Sequence, residues 1–393
     1  MSMKTVPGTP SWLRERNERT ALSLLLQHGV LTRNRIGELS GLSKPTASQI
    51  VARLERAGLI EAVGTVSAGR GPNAASYSVR SDRVLGVAID VGETIIRSTV
   101  VDASGTERAV ATTATDPADE SRTATADIRA AIEAACSAAA VSTDLVRVVA
   151  IGVQGAIDPR SDELNFVAHL PGWPSKGIRT HLETALGLDV HIDNDVNLAA
   201  IAERSEGAGR DSAGFALLWM GEGLGLAVDL AGVVHRGAAG GAGEIGYLPV
   251  PWSAVDIDPT ARELQDLVGG PAVANIARAQ GVSGDTDQEV LDALPGHPSQ
   301  HAVLEQVARR VAIGVVPVLA ILDPELIVLG GPIGTAGGDE LAALVRDEIE
   351  ATTLWHPRAT RSTVPQHPVL RGAREVLVQQ VQARLFSELD NPS

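Results

Sequence analysis

The stretch of residues 84–105, Val-Leu-Gly-Val-Ala-Ile-Asp-Val-Gly-Glu-Thr-Ile-Ile-Arg-Ser-Thr-Val-Val-Asp-Ala-Ser-Gly, decides the fold. An apolar strand over residues 84–90 runs into the glycine turn Asp90-Val-Gly-Glu-Thr94. A second strand follows over 95–101, and Asp102-Ala-Ser-Gly105 turns the chain into a third. The design returns downstream: residues 215–220 run into Gly221-Glu-Gly223, then a strand over 224–230, the turn Ala231-Gly232 and Val233-Val234. Two copies of strand, glycine turn, strand, turn, strand predict two similar lobes facing a cleft. Helical stretches near 124–140, 262–280 and 300–322 complete an α/β architecture.

Upstream of this duplication the pattern changes to three short helices. The first, residues 13–28, aligns Leu22, Leu25 and Leu26 and stops at Gly29. The second, residues 32–40, turns Ile36 and Leu39 inward and closes at Gly41. Ser43 is the expected N-cap of the third, with Pro45 in the first turn where a missing N–H costs nothing. Ala47, Ile50, Val51 and Leu54 form its predicted buried face. Thr46, Gln49, Arg53 and Arg56 share the opposite face, with Lys44 at the N-terminal end. Such side chains suit groove edges and phosphates, so the region reads as a helix-turn-helix. Gly58-Leu-Ile-Glu61, the glycine-bearing stretch 64–72 and Tyr77-Ser-Val79 then read as a two-stranded wing with Arg70 at its tip. A small helical bundle that binds a protein partner is the alternative.

Charge separates the same two regions. Residues 1–83 hold twelve of the 33 Lys/Arg and six of the 48 Asp/Glu, a net +6; the remaining 21 basic and 42 acidic residues leave net −21. The basic end is the candidate for a polyanionic partner, and the acidic remainder would repel one. At 393 residues with 44% apolar content, more than one folded unit is expected. The single cysteine, Cys136, excludes an internal disulfide. The first ten residues lack an apolar h-region and no stretch approaches 18 apolar residues, so a soluble cytoplasmic protein without membrane insertion is expected.

An ordered set of motifs makes a family resemblance specific. It comprises Asp90-Val-Gly-Glu-Thr94, Gly152-Val-Gln-Gly-Ala-Ile-Asp158, Leu170-Pro-Gly-Trp173 and Asp193-Asn-Asp-Val-Asn197. Gly221-Glu-Gly-Leu-Gly225, Arg236-Gly-Ala-Ala-Gly-Gly-Ala-Gly-Glu-Ile-Gly246 and Ile327-Val-Leu-Gly-Gly331 complete it. The chain resembles the ROK family of bacterial repressors and sugar kinases over nearly its whole length, and its N-terminal unit points to the repressor branch. The resemblance implies a winged helix-turn-helix over 1–80, followed by a two-lobed actin-like, sugar-kinase-like (ribonuclease H-like) domain. Its first lobe would span 84–196 and be completed by a C-terminal helix over 372–389. The second, 197–371, would hold the effector and oligomer contacts. The implied function is a regulator, in the repressor sense, of carbohydrate genes, with operator DNA, a small carbohydrate and a homodimer or higher oligomer as partners. The alternative is an ATP-dependent sugar kinase of hexokinase type carrying an added DNA-binding module.

The resemblance also assigns residues. Asn194 and Asp195 would bind sugar hydroxyls, Glu244 would accept from others, and Tyr247 and Gln265 stand where the family has a histidine and a glutamate. Asp195 matches the general base of the kinases. DNA contact falls to Lys44, Thr46, Gln49, Arg53 and Arg70. The kinases carry Gly-Gly-Thr-Lys and Gly-Thr-Gly where this chain has Gly92-Glu-Thr-Ile95 and Gly221-Glu-Gly223. A glutamate aimed at ATP phosphates is repulsive by about 4 kcal/mol per charge pair at ~4 Å and an effective dielectric of ~20. The reading is therefore a non-enzyme with no cofactor. The family's zinc histidine and cysteine cluster are replaced by Tyr247 and by no cysteine before Gly270, so no metal is expected. His169, His181, His191 and His235 read as surface or packing residues.

Overall fold

The computed structural model describes residues 10–66, 74–166 and 170–389. Its N-terminal helices are Pro10–His28, Arg33–Ser40 and Lys44–Arg56. Ala47, Ile50, Val51 and Leu54 are buried as the pattern predicts. The second helix starts one residue later than expected because Leu31 and Thr32 pair with Tyr77 and Ser76. Thr32 instead caps the helix, its hydroxyl accepting from Arg35 N at 3.3 Å. The wing strands Ile60–Val66 and Ala74–Val79 are antiparallel, and with Leu31–Thr32 they form a three-stranded sheet. Arg70 lies outside the described residues.

The duplication is visible as two five-stranded sheets of one topology. The first runs Asp189–Asn194, Val146–Val153, Leu85–Val91, Ile95–Val101, Val110–Ala114 across the sheet. The second runs Ala359–Arg361, Leu326–Gly330, Gly214–Met220, Leu224–Leu230, Val233–Val234. In each, the first strand in sequence pairs antiparallel with the second and parallel with the fourth. The parallel strands are apolar on both faces and almost wholly buried, as strands covered by helices on both sides must be.

Two helix expectations hold and two change. Ala124–Ala139 and Gln300–Leu322 fall where the pattern places them. The stretch 262–280 divides into Leu264–Val268 and Gly270–Ala279, because Gly269 is extended (φ −65°, ψ 164°) and Pro271 suits only a first turn. The C-terminal helix is Pro368–Ser387; it starts before Gly372 because Pro368 is a permitted first residue. It packs along Asp195–Glu206 so closely that a Cβ on Gly372 would sit 1.8 Å from Leu198 O. Leu377, Val381 and Leu385 of this helix share one apolar core with Leu22, Leu25 and Leu54 of the N-terminal unit. Arg83, just after the wing, pairs with Glu388 at the helix's far end.

Candidate functional site

Strand Asp189–Asn194 delivers its last residue to the cleft, and helix Asp195–Glu206 starts there. Asn194 is the N-cap: its Oδ1 accepts from Asn197 N at 3.0 Å, and its Nδ2 donates to Gly155 O at 3.1 Å. One N–H of the amide is left for a ligand. Asp195 Oδ1 accepts from Val196 N at 2.9 Å. Burial, then the neighbouring Asp90 and Glu244 carboxylates, push its pKa up to about 7. Burial alone raises Glu244 to about 7, and burial raises Asp90 to about 6. Asp195 and Glu244 are thus partly protonated near neutrality and can both donate to and accept from hydroxyls.

Asn194, Asp195 and Glu244 meet around one cavity of about 260 Å³. Asn194, Asp195, Glu244, Tyr247 and Gln265 all line it, so the fold brings together the five residues singled out for the effector. Gln154, Phe166 and Trp219 join them without having been anticipated. Tyr247 Oη donates to Phe166 O at 3.2 Å, and Gln265 Nε2 donates to Glu263 at 2.8 Å. Arg236 was also missed. Its Nη2 lies 2.6 Å from Asp193 Oδ2, tying the glycine loop that carries Glu244 to the strand that carries Asn194. Burial opposes the Asp193 charge, but the His191 ring 3.8 Å away and the hydrogen bonds donated by Arg236 hold its pKa below the ordinary value. The sequence signal was present as an Arg beside the loop glycines, yet only the folded register names its partner.

The two short glycine loops meet differently. Gly92 N donates to Ile95 O at 3.0 Å and Gly221 N to Gly223 O at 3.1 Å, so both N–H groups are spent inside their own turns. Burial and then the neighbouring Glu93 carboxyl raise the Glu222 pKa, and Gln154 opposes the rise. Glu222 lines the cavity between Gly221 and Gly223. Among the described residues no group of three His, Cys, Asp or Glu side chains could hold a metal ion.

On the helix-turn-helix, Lys44 and Gln49 are exposed. Thr46 Oγ1 lies 2.8 Å from the capping Ser43 Oγ. Arg53, expected to face outward, is turned back: its guanidinium lies 3.0 Å from Glu18 of the first helix, whose carboxyl burial raises in pKa. The i+3/i+4 spacing could not show this, because Glu18 lies 35 residues upstream.

Residues 86–374 match the ROK family, and residues 15–71 match the MarR family. The chain belongs to the ROK family. It is 22% identical to a putative xylose repressor of Caldicellulosiruptor sp. (strain Rt8B.4), the alignment covering 94% of this chain and 97% of that protein. It is 25% identical to a glucokinase of Halalkalibacterium halodurans, over 68% of this chain and 86% of that one. Among solved structures, a ROK family transcriptional regulator that is a homologue of the E. coli MLC protein superposes with a TM-score of 0.69. Identity there is 19%, with 96% of this chain and 99% of that one covered. The ROK glucokinase of Streptomyces griseus, in complex with glucose and AMPPNP, gives 0.62 at 22% identity, covering 74% of this chain and 98% of its own. At these identities the superpositions establish the shared ROK fold. No helix among the described residues is long and apolar enough to cross a membrane.

Proposed function

We propose that the protein is a sugar-responsive transcriptional repressor: the winged helix holds operator DNA, and a small carbohydrate in the cleft releases it. The observation that carries this reading is the joining of two units in one chain. A helix-turn-helix with exposed Lys44 and Gln49 shares its core with a helix that packs on Asp195–Glu206, the helix beginning at the polyol-suited cavity. Closure of the cleft around a ligand moves that helix, the helix Pro368–Ser387 transmits the movement, and the Arg83–Glu388 pair passes it to the wing. The full-length similarity to a protein named as a xylose repressor makes D-xylose the first sugar to try. The glutamates at both glycine loops support a sensor without kinase activity. A cytoplasmic homodimer reading a near-palindromic operator belongs to the same proposal.

The test is binding of the purified protein to DNA flanking its own gene, followed by challenge with D-xylose, D-glucose and related sugars. Release by one sugar is the expected result; tight DNA binding indifferent to every sugar, or no DNA binding, overturns the reading. Gln49→Ala is expected to cost about 1–3 kcal/mol and relax sequence preference, whereas Lys44→Ala weakens all sequences alike and lowers the salt slope by about 1. Arg53→Ala acts mainly on the fold of the unit, since it strands the largely buried Glu18. A thermal melt of the variant, compared with Glu18→Gln, separates that from lost DNA contact. One observation favours a kinase instead, the retained Asp195 with its pKa near neutrality. ATP-dependent sugar phosphorylation that vanishes in Asp195→Asn would establish it.

A further inference from the structure

We propose that Phe166 is a specificity-determining residue of the cleft, whose ring joins that of Tyr247 in an interlobe aromatic wall for the C–H face of one sugar ring. The inference rests on the sugar-sensor reading above and names what that site selects.

The chain is poor in aromatics, with five Trp, two Tyr and three Phe in 393 residues. Three of these ten, Phe166, Trp219 and Tyr247, line the same cavity of about 260 Å³ as Asn194, Asp195 and Glu244. Phe166 follows the first-lobe strand Glu163–Asn165, and Tyr247 ends the second-lobe turn Ile245–Tyr247. Their centroids lie 5.5 Å apart at 45°, within the range of attractive ring pairs. Yet the rings are not core: Phe166 is 48% and Tyr247 37% exposed. An uncovered aromatic pair beside convergent hydrogen-bonding groups is the composition of a small-ligand site. At about 260 Å³ the space lies just under the ~300–1,000 Å³ of pockets for drug-sized ligands, which suits one monosaccharide. A pyranose presents hydroxyls at its rim and C–H bonds on its faces. Asn194, Asp195 and Glu244 satisfy the former, and the negative face of an aromatic ring attracts the latter.

The backbone gives an independent sign. Phe166 has φ 56°, in the left-handed region that a bulky residue adopts only at a cost. Its carbonyl accepts the Tyr247 hydroxyl at 3.2 Å, and its ring lies over Gly241, where a Cβ would come within 3.1 Å. Nearby, a Cβ on Gly240 would meet Ile157 O at 2.2 Å. The glycine loop of the second lobe is therefore fitted to the first-lobe hairpin in a way that sets Phe166 at the cavity. Sugar affinity depends on the ring; lobe closure depends on the Tyr247 hydroxyl.

The experiment measures sugar binding to the full chain by calorimetry and by intrinsic tryptophan fluorescence, with D-xylose, D-glucose and N-acetyl-D-mannosamine as probes. For the sugar that the wild type binds, Phe166→Ala and Phe166→Leu are each expected to weaken affinity by about 3–10-fold, the energy of one aromatic contact, while Phe166→Tyr retains it. Leucine keeps apolar volume without a π face, so its loss separates ring recognition from filling of space. Thermal melts of all three variants are expected to match the wild type, because an exposed ring contributes little to the core. Tyr247→Phe keeps the wall and removes the latch, and is expected to speed sugar release more than it slows entry. Wild-type affinity in Phe166→Ala or Phe166→Leu overturns the proposal and leaves the sensor reading intact. Absence of binding by the wild type to every probe overturns both.

Discussion

Two sets of residues in the cleft diverge although both halves of the duplicated design contribute to each. In one set, Asn194, Asp195 and Glu244 converge on a cavity with hydrogen-bonding capacity to spare. Beside them, Gly92 and Gly221 close their N–H groups into their own turns, and Glu222, which lines the same cavity, has Glu93 as a neighbour. The copied glycine turns thus bring glutamates beside a set of groups with free hydrogen-bonding capacity. A shared fold supplies positions, and the side chains placed at them set the chemistry.

The strongest way to break this comparison is to remove the polyol set. Asp195→Ala is expected to lower sugar affinity by about 10–100-fold, since it deletes a hydrogen-bonding group and leaves buried neighbours unpaired. Calorimetry with the sugar that releases DNA reads it, and unchanged affinity would remove Asp195 from the site. The glutamate set predicts a smaller gain. The double change Glu93→Gln with Glu222→Gln is expected to tighten ATP binding by roughly tenfold over the wild type. If ATP binding does not respond, the spent N–H groups rather than the charges are the barrier.

The smallest effect is on stability and carries a sign. Folding raises the Asp195 pKa from the ordinary 3.8 to about 7, so the folded chain holds a proton that the unfolded chain has released. The stability from that neutral acid is complete below pH ~4 and is lost as pH rises toward 7. Asp195→Asn is therefore expected to raise the melting temperature at pH 8 and to do so less at pH 5, by about 1–2 °C for each kcal/mol recovered. Glu244, raised for the same reason, leaves part of the wild-type pH dependence in place. An equal shift at both pH values would contradict the buried-acid account.

Local pattern sufficed wherever the decisive interactions lie within a few residues. Alternation and glycine turns disclosed both copies of the sheet motif, Ser43 and Gly41 bounded their helices, and the motif order carried the five cavity residues. Patterns failed where a partner comes from far along the chain. Gly269 and Pro271 together split one expected helix into two, and Leu31–Thr32 became a strand only because Tyr77 and Ser76 lie beside it. The sequence by itself determined two lobes, a helix-turn-helix and a polyol-type residue set, because periodicity and turn chemistry are local properties. Only the tertiary structure decided that Arg53 is held by Glu18, that Arg236 anchors Asp193, that Glu93 meets Glu222, and that Phe166 shares a cavity with Asp195. Those pairings depend on how distant segments pack, and charge and burial acquire their meaning only from the neighbours that packing provides.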